Sequence, residues 1–576
     1  MQKSYLIFSR RTLAVLALLL FIFVSFGWGI FWTELTLFAA QQRQLQLAGS
    51  DAQKALWFVA PLNVITFKAI PDVVVWQSGL REFVLVAQVQ KTAPLVLQQM
   101  LMQSVNEKTN PTPSLQKTFQ QLNQNTQQLE AALPHSFFGS QIIQPKIKVA
   151  LQKFFPDFSL ANFSLANGQT PTISQITQDL EQAVTTLNSG SQKILILFQN
   201  SQELRATGGF MGSYALWQLQ DGQLQNLEVQ DIYVPDGQFK GFMEAPSGLK
   251  EYLSNDHGVR LPDANWWPDF PTSAQNILTF FANSKQSQID KVVVVNLSVA
   301  EDILRVTGDI YLPDYQLNVN ADNLASVARS DREQFFPGSQ QKRNFLAALF
   351  NQLKIKWPDL TVNQQMALLQ LLGQKLQTKD IQLFANNPDL EKVWQRYGFD
   401  GGVWQSTQPD IFSFFAVESN VGINKANKKI SRQVEINKNK SQVIIKLSLN
   451  NLNDPLDLEP PVPPLTKGRP LDYIDYQRFL LPNTVQVDSI TVDGKELNSW
   501  QTNSVNSAIA QVGFLVTVPV GEVKVVQLNL TLSDKMAEQK QLVLQKQSGI
   551  SQIPIAINWD GQIKQLHLDR DQVISF

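Results

Sequence analysis

Arg205 follows Glu203 by two residues and precedes the Gly208-Gly209 pair in LILFQNSQELRATGGFMGSY (195–214), at the end of an apolar run. A charged residue beside paired glycines packs badly in a core. It suits an anion, because glycine lets backbone N–H groups converge on a bound oxygen. The plainer alternative is a surface hairpin whose arginine pairs with Glu203. A second cluster places Asp231, Asp236 and Lys240 in QDIYVPDGQFKG and Asp263 and Asp269 in LPDANWWPDFPTS. Loop carboxylates such as Asp236 and Asp269 are candidate Mg²⁺ ligands, since that ion takes one or two carboxylates together with water and phosphate oxygens. Aspartates beside Pro and Gly also form ordinary turns. A third cluster is Arg329, Asp331 and Arg332, followed by Lys342 and Arg343 at a helix start. Guanidinium forks match phosphate oxygens in pairs, and a solvated charged face gives the same pattern. Trp266-Trp267 could stack on sugar rings or fill a core.

Composition narrows this chemistry. The 576-residue chain has no cysteine and three histidines, His135, His257 and His567, which lie far apart. Thiolate chemistry and disulfides are excluded, and a His-based zinc site or Ser-His-Asp triad is disfavoured. No Walker loop, GxGxxG fingerprint or GxSxG elbow is present. The formal net charge of −1 gives no bulk electrostatic case for nucleic acid. Any chemistry must run on Asp, Glu, Arg, Lys and a divalent cation.

These residues must be held by a chain too long for one ordinary domain. Leu13 to Trp32 is an apolar run with Ser25 as its only polar side chain, and a run of about 20 such residues spans a bilayer as a helix. Lys3, Arg10 and Arg11 precede it and Glu34 follows. The positive-inside rule therefore predicts a cytoplasmic tail over 1–11, a single transmembrane helix over 12–32 that stays as an uncleaved signal-anchor, and the bulk of the chain outside the plasma membrane.

Residues 33–190 read as a helical membrane-proximal region. Leu115, Phe119, Leu122, Leu129 and Leu133 recur at helical spacing, and prolines at 111, 113, 134, 145, 156 and 171 predict several short helices. The region is a spacer or cap, or part of it lines a groove for a lipid tail. Residues 191–405 read as an α/β domain. KILILF (193–198) and VVVVNL (292–297) are core strands, an Asp221-Gly222 hairpin lies between them, and Thr272 caps a helix to about Ala282. Residues 340–353 and 362–376 add helices. From 425 to 576, short alternating strands such as SQVIIKLSL and KVVQLNLTL predict a C-terminal β-sandwich of immunoglobulin-like size. The fold class expected is thus α+β multidomain.

The stretches QNSQELRATGGFMGSYALW, QDIYVPDGQ, NWWPDFPTSAQN, VVVVNLSVAEDILRVTGDI, SDREQFFPGSQQKRNFLAAL and ESNVGINKANKKI (418–430) resemble family 4012 of the domains of unknown function, over most of residues 35–560. That resemblance implies a bacterial single-pass envelope protein. The order of elements also resembles the LytR-CpsA-Psr phosphotransferases, which move glycopolymers from a polyprenyl pyrophosphate to the cell wall. This second resemblance implies that Arg205, Gly208, Gly209, Arg329, Arg332 and Arg343 bind phosphate. It also implies that Asp231 or Asp236 acts with Arg205 in catalysis, and that Mg²⁺ sits on Asp236 and Asp269. Here Ala-Thr-Gly-Gly follows Arg205, where that family has Ser-Asp-Thr.

Two function classes follow. One is an anchored envelope protein that binds or transfers a polyprenyl-phosphate-linked glycopolymer. The other is a non-enzymatic scaffold or adhesion protein that uses the β-sandwich.

Overall fold

Alternation of apolar and polar residues with a period of two dominates the chain after about residue 425, residues 191–405 mix continuous apolar strands with helices, and helical spacing dominates before 190. A computed structural model describes residues 45–65, 71–101, 112–136, 172–254, 256–282, 288–330, 341–404, 410–454 and 470–576, with Leu456 and scattered positions among 28–39. The chain divides into two compact units, one within residues 1–189 and one spanning 190–576 apart from the 221–223 turn and including 161–170. The Leu13–Trp32 run lies outside the described residues except for Trp28 and Trp32. Among the described residues no helix is long and apolar enough to cross a membrane.

The first unit holds helices Leu45–Ile65, Pro71–Leu101, Thr112–Ala132 and Ile173–Leu187. Pro61 and Pro94, not among the prolines expected to break helices, lie inside the first two helices. Ala48, Ala52, Ala55 and Val59 on the first helix bury against Leu80 and Phe83 on the second. Small residues bring the two backbones close: a Cβ on Gly49 would come within 2.4 Å of the Ala87 Cβ. Leu115, Phe119, Leu122 and Leu129 are buried along the third helix, as their spacing required. Thr172 caps the fourth, its hydroxyl accepting from the Gln175 amide at 3.1 Å.

In the second unit, β1 (Ser191–Asn200), β2 (Phe210–Gln220), β3 (Gln223–Asp231), β4 (Lys291–Asn296) and β7 (Ile381–Ala385) form a sheet in the order β3-β2-β1-β4-β7. Only β1 and β4 run parallel. The layer is therefore a mixed sheet, with β5 (Ile310–Leu312) and β6 (Leu317–Val319) as a separate small hairpin. The β2–β3 turn has Asp221 and Gly222 both at positive φ, as the two-residue turn needs. Helix Phe270–Ala282 covers the sheet. Its cap is Asp269 rather than the expected Thr272: Asp269 Oδ2 accepts from the Thr272 amide at 3.1 Å.

The sandwich starts at β8 (Phe412–Val417), ahead of the expected 425, and continues through β9 (Ile430–Asn439), β10 (Gln442–Asn451), β11 (Tyr473–Pro482), β12 (Gln486–Val492), β13 (Lys495–Glu496), β14 (Gln501–Ser504), β15 (Ile509–Val518), β16 (Val523–Thr531), β17 (Gln541–Gln545), β18 (Ile553–Trp559), β19 (Gln562–Leu568) and β20 (Gln572–Ser575). Its sheets run β13-β12-β16-β10-β9-β18-β19 and β14-β15-β11-β8-β17-β20. The parallel pairs β8–β17 and β9–β18, together with sheets of seven and six strands, set it apart from an immunoglobulin-like domain of about seven to nine antiparallel strands. The sandwich is also not separately packed. Val421, Ile474 and Tyr476 lie in one apolar cluster with Leu195, Trp266 and Phe270 of the mixed-sheet layer.

Candidate functional site

The loop leaving β1 is drawn tight by its own backbone. The Glu203 amide donates to the Asn200 carbonyl at 3.1 Å, the Gly208 amide to Arg205 at 3.0 Å, and the Phe210 amide to Glu203 at 2.9 Å. This turns the Arg205 side chain inward, where it is 1% exposed. Its Nε donates to Asp263 Oδ1 at 2.9 Å and its Nη2 to Glu203 Oε1 at 3.0 Å. Nη1 donates to the Asn420 carbonyl at 2.8 Å and the Leu204 carbonyl at 3.2 Å. Burial pulls the Arg205 pKa down, but the two carboxylates outweigh it and hold the guanidinium charged. Burial raises the Glu203 pKa against the pull of Arg205. Thus the pairing with Glu203 is present, but in the interior rather than on a surface hairpin.

The glycine pair faces protein on both sides. Gly208 has φ +136, and a Cβ there would lie 2.4 Å from both Asn296 Oδ1 and Gln199 Oε1, and 2.8 Å from Ser548 Oγ. A Cβ on Gly209 would lie 2.3 Å from the Asn200 carbonyl. The Gly209 carbonyl accepts from Asn265 Nδ2 at 2.8 Å. These glycines permit close approach of backbone to side chains, and Gly549 does the same against the Gly208 carbonyl.

The aspartates are likewise engaged. Asp236 forms a forked ion pair with Arg260 and accepts from the Leu261 amide at 2.8 Å. Asp231 accepts from the Tyr233 amide at 2.9 Å. Asp269 accepts from the Thr272 hydroxyl at 2.5 Å and the Val403 amide at 3.0 Å. Burial pushes the Tyr233 phenol up to about 12, with Asp263, Glu203, Asp231 and Asp236 adding to it. The carboxylates of Asp263, Glu203, Asp231 and Asp236 thus all act on Tyr233, and Arg205 joins them through its bond to Asp263. Among the described residues no group of three or more His, Asp or Glu is placed to hold a metal ion. Both oxygens of Asp236 and of Asp269 accept from protein donors. Arg329 lies in helix Leu324–Ser330 and Arg343 in helix Gln341–Lys356. Their side chains, and all of Asp331 and Arg332, lie outside the described residues.

Several partners were not singled out from sequence. Asn420 donates its amide to the Leu204 carbonyl at 3.0 Å, and the Leu204 amide donates to Asn427 Oδ1 at 3.1 Å. Gln547 Nε2 donates to the Arg205 carbonyl at 3.0 Å and to the Glu418 carbonyl at 2.8 Å. Arg478, 1% exposed, donates to the Trp266 carbonyl at 2.8 Å and Ser419 Oγ at 2.6 Å, with its guanidinium 4.6 Å from the Trp266 ring. Trp266 is therefore a core platform at 2% exposure, while Trp267 is half-buried. Glu418 takes a bidentate pair from Arg432 at 2.6 and 2.8 Å and a bond from the Tyr473 hydroxyl at 2.5 Å. The signal available in sequence was the density of Asn and charge in ESNVGINKANKKI, between two apolar strands.

Residues 189–332 match the model of a family described as a protein of unknown function, DUF4012. That span contains the ELRATGGF and NWWPDFPTSAQN motifs on which the resemblance rests. No curated protein matches the chain. Among solved structures, similarity is found to protein gbs0355 from Streptococcus agalactiae, at 12% identity over 39% of this chain and 78% of that one, with a TM-score of 0.26. It is also found to B. subtilis TagV, at 13% identity over 38% and 85%, with a TM-score of 0.20. No residue role is taken from likenesses at this level.

Proposed function

We propose that the chain is a membrane-anchored, extracytoplasmic envelope protein whose 190–576 unit is a non-catalytic scaffold for binding cell-envelope glycopolymer. The anchor rests on the Leu13–Trp32 run and the basic residues before it. The envelope setting draws on the resemblances to family 4012 and to the LytR-CpsA-Psr proteins. The observation that carries the scaffold reading is the saturation of Arg205. Phosphate would have to displace Asp263, Glu203 and two backbone carbonyls from a guanidinium with no exposed face. Breaking a buried charge pair of this kind costs about 3–5 kcal/mol. Arg205→Ala in the full-length chain tests this: loss of folding stability supports the scaffold, whereas unchanged stability with loss of polyprenyl-phosphate binding rejects it.

A second reading, transfer of a polyprenyl-phosphate-linked glycan, is favoured by the carboxylates of Asp263, Asp231 and Asp236 acting together on Tyr233, with Arg205 bonded to Asp263. It requires the Asp236–Arg260 pair to open, freeing a carboxylate as base. Asp236→Asn would then abolish turnover while leaving the fold intact.

A further inference from the structure

The helical unit carries an open groove of about 580 Å³ along helices Leu45–Ile65, Pro71–Leu101 and Thr112–Ala132, most of whose lining side chains are exposed. This volume falls in the range of roughly 300–1,000 Å³ usual for small-molecule sites. Its lining is unusual in chemistry. Seven of its thirteen lining residues are Gln or Asn, among them Gln53, Gln88, Gln121, Gln124 and Gln128. Arg81 is the one charged residue in the lining, and no carboxylate joins it. On the rim stands Trp57, 76% exposed.

Each of these features selects against some occupants. A phosphate group would find one cation where such sites cluster several. Amides offer donors and acceptors side by side, the pattern needed by hydroxyl groups that both give and take hydrogen bonds. A flat, exposed indole supplies an apolar platform with a polar N–H edge. Asn125, 5% exposed, is fixed in the lining by its Nδ2, which donates to the Ser78 carbonyl and to Glu82 Oε1, each at 2.9 Å.

We propose that this groove binds an oligosaccharide of uncharged sugar units, with Trp57 stacking on one ring and the glutamines holding its hydroxyls. The site goes beyond the reading of the 190–576 unit and does not depend on Arg205. The test uses full-length protein in a detergent without a sugar headgroup. Tetramers of glucose, N-acetylglucosamine and mannose are titrated by calorimetry, with inorganic phosphate as control. At least one tetramer binds, phosphate does not compete, and Trp57→Ala weakens binding about tenfold or more, as loss of a stacking aromatic does. Gln124→Ala with Gln128→Ala weakens it without altering the far-ultraviolet circular dichroism. Absence of binding by all three tetramers at about 10 mM, a weaker limit than the 1 mM scale of poor ligands, overturns the proposal. So does binding untouched by Trp57→Ala. A change of oligomeric state on Trp57→Ala, without change in sugar binding, would instead mark this face as a contact between copies. Failure here leaves the Arg205 test untouched.

Discussion

Arg205 Nε lies 2.9 Å from Asp263 Oδ1, joining the loop after β1 to the 3₁₀ turn Leu261–Asp263 that leads into NWWPDFPTS. The same guanidinium reaches the Asn420 carbonyl, and the Arg205 carbonyl accepts from Gln547. Four stretches remote in sequence thus meet on one side chain and its peptide.

Arg205→Ala should destabilise the 190–576 unit by about 3–5 kcal/mol, because Asp263 and Glu203 lose the charge that compensates their burial. Asp263→Asn should cost less, since Glu203 still faces the guanidinium. Urea unfolding followed by tryptophan fluorescence checks both, and a double-mutant cycle should return a coupling above about 1 kcal/mol for residues in direct contact.

Gly208→Ala should be worse than an ordinary turn substitution. Its φ of +136 is strained for any L side chain, and the new methyl meets Asn296 and Gln199. Gly494→Ala, at φ +75 with open space around it, is the control. The control should lose about 1 kcal/mol or slightly more, and Gly208→Ala several times that or fail to fold. Comparison of urea midpoints separates them.

The helical unit should weaken as pH rises from 4.5 to about 7. Burial raises Glu82 from 4.5 to about 7, against hydrogen bonds from Thr126 and Asn125 and with a small addition from Glu130. A carboxyl with a raised native pKa binds its proton more tightly folded than unfolded. Its stabilisation is therefore full below pH 4.5 and is lost as pH climbs to about 7. The total is on the order of 3 kcal/mol at most. Glu82→Gln should flatten this slope, measured by thermal unfolding across the window.

The anchor predicts that the full chain sediments with membranes, and that replacing Leu16 and Leu20 with Arg releases it or prevents insertion, since each central charge costs about 2.5–3.5 kcal/mol. Protease added outside intact cells should digest residues beyond Trp32.

Local physics made much of this molecule legible. Alternating runs gave the sandwich strands, continuous apolar runs gave β1 and β4, and the Asp-Gly dipeptide gave its hairpin, whereas the cap expected at Thr272 falls on Asp269. The Arg205 loop was also found, because a charge among apolar strands and glycines is conspicuous. What Arg205 touches was not legible. Its partners at 263, 420 and 547 are brought together by sheet packing, and nothing in local spacing records that pairing. The glycines were equally ambiguous: freedom to cradle an anion and freedom to accept a crowding side chain demand the same residue. Likewise, buried Lys546, whose pKa burial lowers to about 8 while its Nζ donates to the Thr378 carbonyl at 2.7 Å, reads in sequence as a surface lysine. The thirteen-strand sandwich exceeded expectation because β8 and β17 pair in parallel across more than a hundred residues, a non-local contact.

The central claim is that Arg205 secures the fold and does not grip phosphate. The most direct measurement pairs thermal unfolding with polyprenyl-phosphate titration of wild-type protein and Arg205→Ala, with and without Mg²⁺. The account predicts a marked fall in unfolding temperature and no Mg²⁺-dependent binding that requires Arg205. An unchanged unfolding temperature, together with Mg²⁺-dependent binding lost in Arg205→Ala, would contradict it.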